Sequence, residues 1–155
     1  MTVDTSKIVT GGIKGYLTYS FEVDAEPEGK VVIPEDALIS YLHKLGTISK
    51  SVKTTEIELA HRENPFVVRG KTVVLDPVEI VEVLTYDGYK LRQQQMKEHK
   101  NIVLLSFKED DGKLMDGYYG FISKISRADE GEYSTITYTF TPLSDNVEAD
   151  APVAE

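Results

Sequence analysis

The sequence predicts a mainly β fold of the α+β class, with one or two helices, and three observations carry that expectation. Residues 13–23 alternate apolar and polar side chains. The last third of the chain reads as strands separated by charged or glycine-containing turns. The 9 Tyr and 5 Phe stand among many Val, Ile and Thr, residue types that fit a pleated, half-buried surface. A length of 155 residues suits one domain, and a domain of this size hides roughly two-thirds of the surface its unfolded chain exposes. An apolar fraction of 41% and a charged fraction of 28% argue against wholesale disorder.

Residues 1–12 form a polar arm ending in Gly11-Gly12, a hinge outside the core. Over Ile13–Val23, Ile13, Leu17, Tyr19, Phe21 and Val23 alternate with Lys14, Tyr16, Thr18, Ser20 and Glu22, the pattern of a half-buried strand. Asp24–Gly29 is a turn and Lys30–Ile33 a short strand. Pro34–Leu45 predicts a helix: Pro34 suits the first helical position, Glu35 and Asp36 favour the positive end, and Gly46 stops it. Ala37, Leu38, Tyr41, Leu42 and Leu45 would share its apolar face.

Strands at Ser51–Leu59 and Phe66–Leu75, joined through Arg62-Glu63-Asn64-Pro65, predict an extended hairpin that is largely polar on both faces. Asp76-Pro77 breaks it, and Val78–Tyr86 alternates again. Asp87-Gly88 has the composition of a tight turn, but Tyr89–Lys100 holds strong helix formers and no β-branched residue, which favours a second helix. A meander follows: Ile102–Phe107, Leu114–Ser126 and Tyr133–Thr141, ended by Pro142. Phe121 and Ile125 are expected to pack beneath a helix. Asp145–Glu155 is an acidic tail with nothing to bury, expected to be mobile without a neighbour. The organisation is therefore an arm (1–12), a single β-rich domain (13–142) and a tail (143–155).

Composition and motifs exclude much chemistry. The chain has no cysteine, so disulfides, thiolate metal sites and cysteine nucleophiles are absent. Residues 1–10 lack the basic-then-apolar pattern of a secretory signal, and no apolar run approaches the ~20 residues of a membrane-spanning helix. Net charge is −9, and residues 121–155 carry seven acids against two bases. Such a surface does not grip nucleic acid or anionic membranes. His43, His61 and His99 fall on separate elements without metal-ligand spacing. Glu109-Asp110-Asp111-Gly112 is a charged turn, since aligning Gly112 with the glycine of a calcium loop puts Phe107 at the first ligand and Tyr118 at the last. Gly11, Gly12 and Gly15 open a strand and cradle no phosphate. No Gly-x-Ser-x-Gly elbow occurs, and no pair among the 26 acids is favoured for acid–base work. Asp116–Phe121 places aromatics on both faces of a strand interrupted by Gly117 and Gly120. It reads as a doubly buried strand with close backbone approach, or as an aromatic stacking platform.

The residues Thr85–Arg92 (TYDGYKLR) leading into Ile102–Phe107, and the closing hairpin Gly117–Pro142 with GFISKIS at Gly120–Ser126 and YTFTP at Tyr138–Pro142, give a recognisable order. Arm, long alternating strand, polar hairpin, β–helix–β and meander together resemble the tail tube (major tail) proteins of tailed bacteriophages, relatives of the tubes of contractile injection and type VI secretion systems. The resemblance runs from Gly12 to Pro142. The early helix at 34–45 departs from it, because the simplest tube proteins place their main helix later, and this keeps a tail terminator or completion protein as an alternative.

The resemblance implies a β-sandwich or barrel-like protomer flanked by helix, building hexameric rings that stack into a tube. Ring-to-ring contacts would then come from the arm and hairpin, with Gly11, Gly12, Arg62, Glu63, Asn64 and Pro65 as candidates. Glu79, Glu82 and Glu132 are the candidate bore acids, repelling DNA that passes only as cargo. The implied partners are copies of the chain and other tail proteins, with no membrane binding and no cofactor. The implied location is the virion tail, after synthesis in the host bacterial cytoplasm. The role is structural and not enzymatic; a non-viral β-sandwich binding module and an enzyme are the competing classes. Repulsive acids make one outcome specific: the chain should leave short duplex DNA unshifted in a gel even at low ionic strength, where unscreened attraction would be strongest.

Overall fold

The run Ile102–Phe107 is too uniformly apolar for a strand with one wet face. A computed structural model of the chain, which describes residues 8–58 and 67–152 together with Thr5, buries it on both sides. The chain passes through a short 3-10 turn (Ile13–Gly15), then β1 (Tyr16–Val23), β2 (Lys30–Val31), β3 (Leu42–Leu45), β4 (Lys50–Glu58), β5 (Val67–Leu75) and β6 (Val78–Val83). The helix α1 (Tyr86–Lys97) comes next, followed by β7 (Asn101–Lys108), β8 (Leu114–Asp129), β9 (Ser134–Ser144) and β10 (Glu148–Ala149). Six strands form one sheet in the order β1-β7-β8-β9-β6-β3, while β4-β5 and β10-β2 form separate two-stranded pairs.

The six-stranded sheet curls like a barrel wall, and one segment reaches both of its edges. Ser20 N–H donates to the Ala37 carbonyl at 2.9 Å and Ile39 N–H to the Thr18 carbonyl at 2.9 Å, so residues 37–39 cover the outer edge of β1. Leu42–Leu45 then pairs antiparallel with β6 at the far edge. The helix expected over Pro34–Leu45 is therefore not formed. Its apolar spacing is real, but two open sheet edges offer the segment more backbone partners than a short helix would, and tertiary pairing overrides propensity.

Two cores result. Val103, Leu105 and Phe107 of β7 join Tyr19, Phe21 and Tyr119 in one cluster, and Tyr19 meets Phe107 edge-to-face at 5.7 Å. The alternate residues Ile102 and Leu104 join Ile80, Tyr118, Ile122, Tyr138 and Phe140 in the other. Val147 and Ala149, which lie in the tail expected to bury nothing, are buried in the first cluster. Their segment is held by parallel pairing of β10 with β2 and by an exposed Lys30–Asp150 ion pair of 3.0 Å. Two apolar side chains in an acidic stretch suffice to dock it, a contribution of ~2 kcal/mol by area bookkeeping.

Two of the remaining outcomes turn on local geometry. Thr85 caps α1, accepting from Gly88 N–H at 3.2 Å, so Asp87-Gly88 is a first helical turn and the helix starts three residues earlier than its composition predicts. In β8 the pairing with β9 shifts between Ile122 and Lys124. The extra residue, Ser123, flips the alternation, so Ile122 and Ile125 face the second core with Met96 of α1. Phe121, expected beneath the helix, is half-buried on the opposite face across from Thr141.

Tyr118 and Tyr119 are both buried, which removes the stacking platform and leaves the doubly buried strand. The glycines beside them permit this packing. A Cβ on Gly117 would strike the Val147 carbonyl, and one on Gly120 would strike the Thr141 carbonyl and, at 2.9 Å, the Phe140 ring. Gly120→Ala should therefore lower stability by ~1–3 kcal/mol in urea denaturation, as overpacking does. Gly70→Ala, where a Cβ meets nothing within 4 Å, should change it by less than ~0.5 kcal/mol.

Candidate assembly surface

Lys50–Glu58 and Val67–Leu75 mix β-branched and charged residues, a composition that favours extended chain without supplying a continuous apolar face. The two strands pair in unbroken antiparallel register from Lys50↔Leu75 to Glu58↔Val67. At ~3.4 Å per residue the arm is ~30 Å long. Every described side chain from Lys50 to Ile57 and from Arg69 to Val74 is exposed, including Val52, Ile57, Val73 and Val74. Val52 lies across from Val73, an apolar pair held in water. An exposed Glu56–Arg69 ion pair of 3.0 Å crosses the strands, worth at most ~1 kcal/mol.

The hairpin is tied to the barrel at its root. Ser49 Oγ donates to Asp76 Oδ2 at 2.8 Å, Lys50 Nζ donates to Asp145 Oδ2 at 3.3 Å, and Leu75 packs against the second core. A two-stranded hairpin is marginal in water without a further packing surface. Both its faces and both its edges are therefore available to another chain.

Beside the root, a cleft of about 550 Å³ opens between the start of β1 and the free side of β3, lined by Tyr16, Thr18, Leu42, Leu45, Met115 and Asp116 among others. Burial pushes the Asp116 carboxyl up from its ordinary value, against the opposing charge of Lys50 and a hydrogen bond with Tyr118.

A buried polar cluster closes the other end of the wall, where α1 packs. Arg92 donates to Glu82 Oε1 at 3.0 Å, to Gln95 Oε1 at 3.0 Å and to Ser20 Oγ at 3.2 Å. Tyr138 donates to the same Glu82 oxygen at 2.8 Å, and the guanidinium lies 5.0 Å from the Tyr138 ring centre. Burial works against the Arg92 charge, but Tyr138 and Glu82 more than offset it. Burial, reinforced by Glu82, pushes the Tyr138 phenol well above its ordinary value, with Arg92 opposing. The cluster joins β1, β6, β9 and α1; a helix-to-strand ion pair ten residues apart has no local sequence signature.

The candidate residues fall in different places. Glu82 is corrected: it is 7% exposed and paired to Arg92, so it does not line a bore, because strand alternation turns it inward with Val78 and Ile80. Glu79 is exposed on the outer face of β6 beside Thr139, and Glu132 is exposed in the turn between β8 and β9. Gly11 and Gly12 are exposed, and Gly12, at φ 82°, starts the 3-10 turn beside the cleft. Arg62, Glu63, Asn64 and Pro65 lie outside the described residues. Among the described residues no three metal-ligating side chains converge.

No protein-family model matches the chain, and no curated protein matches it. Among solved structures it is similar to a chain in the cryo-EM structure of the anti-feeding prophage baseplate, 6-fold symmetrised. The identity is 10%, the match covers 87% of this chain and 93% of that one, and the TM-score is 0.49.

The buried pair makes a stability prediction. Arg92→Leu should cost ~3–5 kcal/mol by leaving the Glu82 charge without its partner, while Glu82→Leu combined with Arg92→Leu should recover most of that loss. Chemical denaturation of the single and double variants reads both.

Proposed function

We propose that the chain is a structural subunit of a phage-type tail or related injection apparatus, and that its role there is the tube. In this reading hexameric rings of the chain stack into a conduit, with other tail proteins at its ends and DNA passing as cargo. The role is mechanical and not catalytic. The observation that carries the reading is the hairpin, two nine-residue strands whose described side chains are all exposed except at the root. Ordering so much chain without burial is costly, and a neighbouring subunit supplies the missing surface.

Two further observations support the same reading. The helix that set the sequence apart from simple tube proteins is absent from 34–45, and the chain's single α-helix among the described residues falls between β6 and β7, in the later position that the family resemblance implies. Tyr118 and Tyr119 are buried, which leaves the binding-module alternative without its aromatic platform. Glu79 and Glu132 remain as candidate bore acids.

Native mass measurement and negative-stain imaging of the purified chain test the proposal. Rings or tubes are expected at moderate concentration, and a sharp monomer mass at high concentration with no rings would refute it. A variant with residues 51–74 replaced by a short turn should fold, since the described part of the hairpin packs on the barrel only at its root, yet fail to assemble. Unchanged assembly by that variant would remove the hairpin from the interface.

A further inference from the structure

The charge of this protein is divided between two parts. Residues 50–75, the hairpin, carry five bases (Lys50, Lys53, Arg62, Arg69, Lys71) against three acids (Glu56, Glu58, Glu63), a balance of +2 that leaves −11 for the rest of the chain. One acidic stretch is residues 24–36, where Asp24, Glu26, Glu28, Glu35 and Asp36 stand with a single base, Lys30. Lys30 is already paired with Asp150, and none of these five acids makes an ion pair with a described residue.

The same stretch has a second anomaly. Val32 is 89% exposed between Val31 and Ile33, which both pack on the first core. An exposed valine within an acidic stretch is matched by the hairpin, where exposed Val52 and Val73 lie near Lys50, Lys53 and Lys71 in the paired strands. The two segments are complementary in charge, and each exposes apolar side chains.

The hairpin and residues 24–29 leave the sheet at opposite ends. Antiparallel pairing through β1-β7-β8-β9-β6 puts the start of β6 at the same end of the sheet as the start of β1. The hairpin leaves the barrel just before β6, whereas residues 24–29 follow the end of β1. At ~3.3 Å per residue, the eight residues of β1 set those ends ~25 Å apart.

We propose that the basic hairpin of one copy docks on the acidic segment 24–36 of a second copy. The contact rests on the self-assembly reading above and adds its chemistry and its direction. Two different patches meet, so the contact is heterologous and propagates as an open stack instead of closing a dimer. Electrostatic attraction sets the partner and the register, and Val32 against the hairpin valines supplies the desolvated centre.

Charge swapping tests it, with sedimentation velocity reading association and circular dichroism confirming the fold. Lys53→Glu with Lys71→Glu, and separately Glu26→Lys with Glu28→Lys, should each weaken self-association about tenfold or more. The fourfold variant carrying both swaps should regain association. Wild-type assemblies should also loosen at ~1 M salt, where the screening length falls to ~3 Å. Assembly that survives that salt, or a fourfold variant no better than either pair alone, overturns this contact while leaving self-assembly standing. A wild-type chain that stays monomeric overturns both.

Discussion

A curled sheet of six strands has two edges, and every backbone group on them needs a partner or water. In this protein one stretch of chain, residues 37–45, reaches both edges, bonding to β1 with its first half and to β6 with its second. The rest of the architecture follows from that bridging. One side of the sheet carries an apolar core filled by Ile80, Ile102, Leu104, Tyr118, Tyr138 and Phe140. Because the other side of β1-β7-β8 is apolar as well, it needs a cover, and the 30–37 stretch and the C-terminal segment around Val147 and Ala149 provide it.

The helix completes the interior at a different cost. An all-apolar helix face would have packed there without penalty, yet α1 inserts Arg92 and Gln95 and meets Glu82 and Tyr138. Each charged partner forfeits hydration, and what holds the arrangement is the density of hydrogen bonds around a single carboxylate. Polar contacts of that kind admit one orientation of the helix, where aliphatic packing would tolerate several. Their directionality thus fixes how α1 sits against β8 of the sheet.

The barrel satisfies itself, and the hairpin does not. Its strands carry good β-formers and an unbroken register, but no described side chain beyond the root finds cover. It is basic in an otherwise acidic protein, and beyond its root its described side chains are left in water. The proposed self-association would cover the exposed valines and bring the divided charges together. A net charge of −9 otherwise keeps such chains apart in solution.

Strand positions were legible wherever burial is periodic. Leu17, Tyr19, Phe21 and Val23 face one core as their alternation requires, and the break points at Asp76-Pro77 and Gly112 lie where the chain turns. The hairpin's two strands and its lack of an apolar face could also be read from the sequence, because both depend on residues close together in the chain. Three features could not. Pro34–Leu45 carries helical spacing but becomes extended, since distant edges of β1 and β6 compete for its backbone. Ser123 reverses the inward face of β8 through a one-residue bulge that alternation alone does not reveal, exchanging Phe121 for Ile122. Glu82 looks like any exposed strand acid until Arg92 is brought against it. Local pattern sets where chain extends, turns or coils because those choices depend on neighbours in sequence; partner choice is settled only when long-range pairing decides which edges, faces and charges are left to satisfy one another.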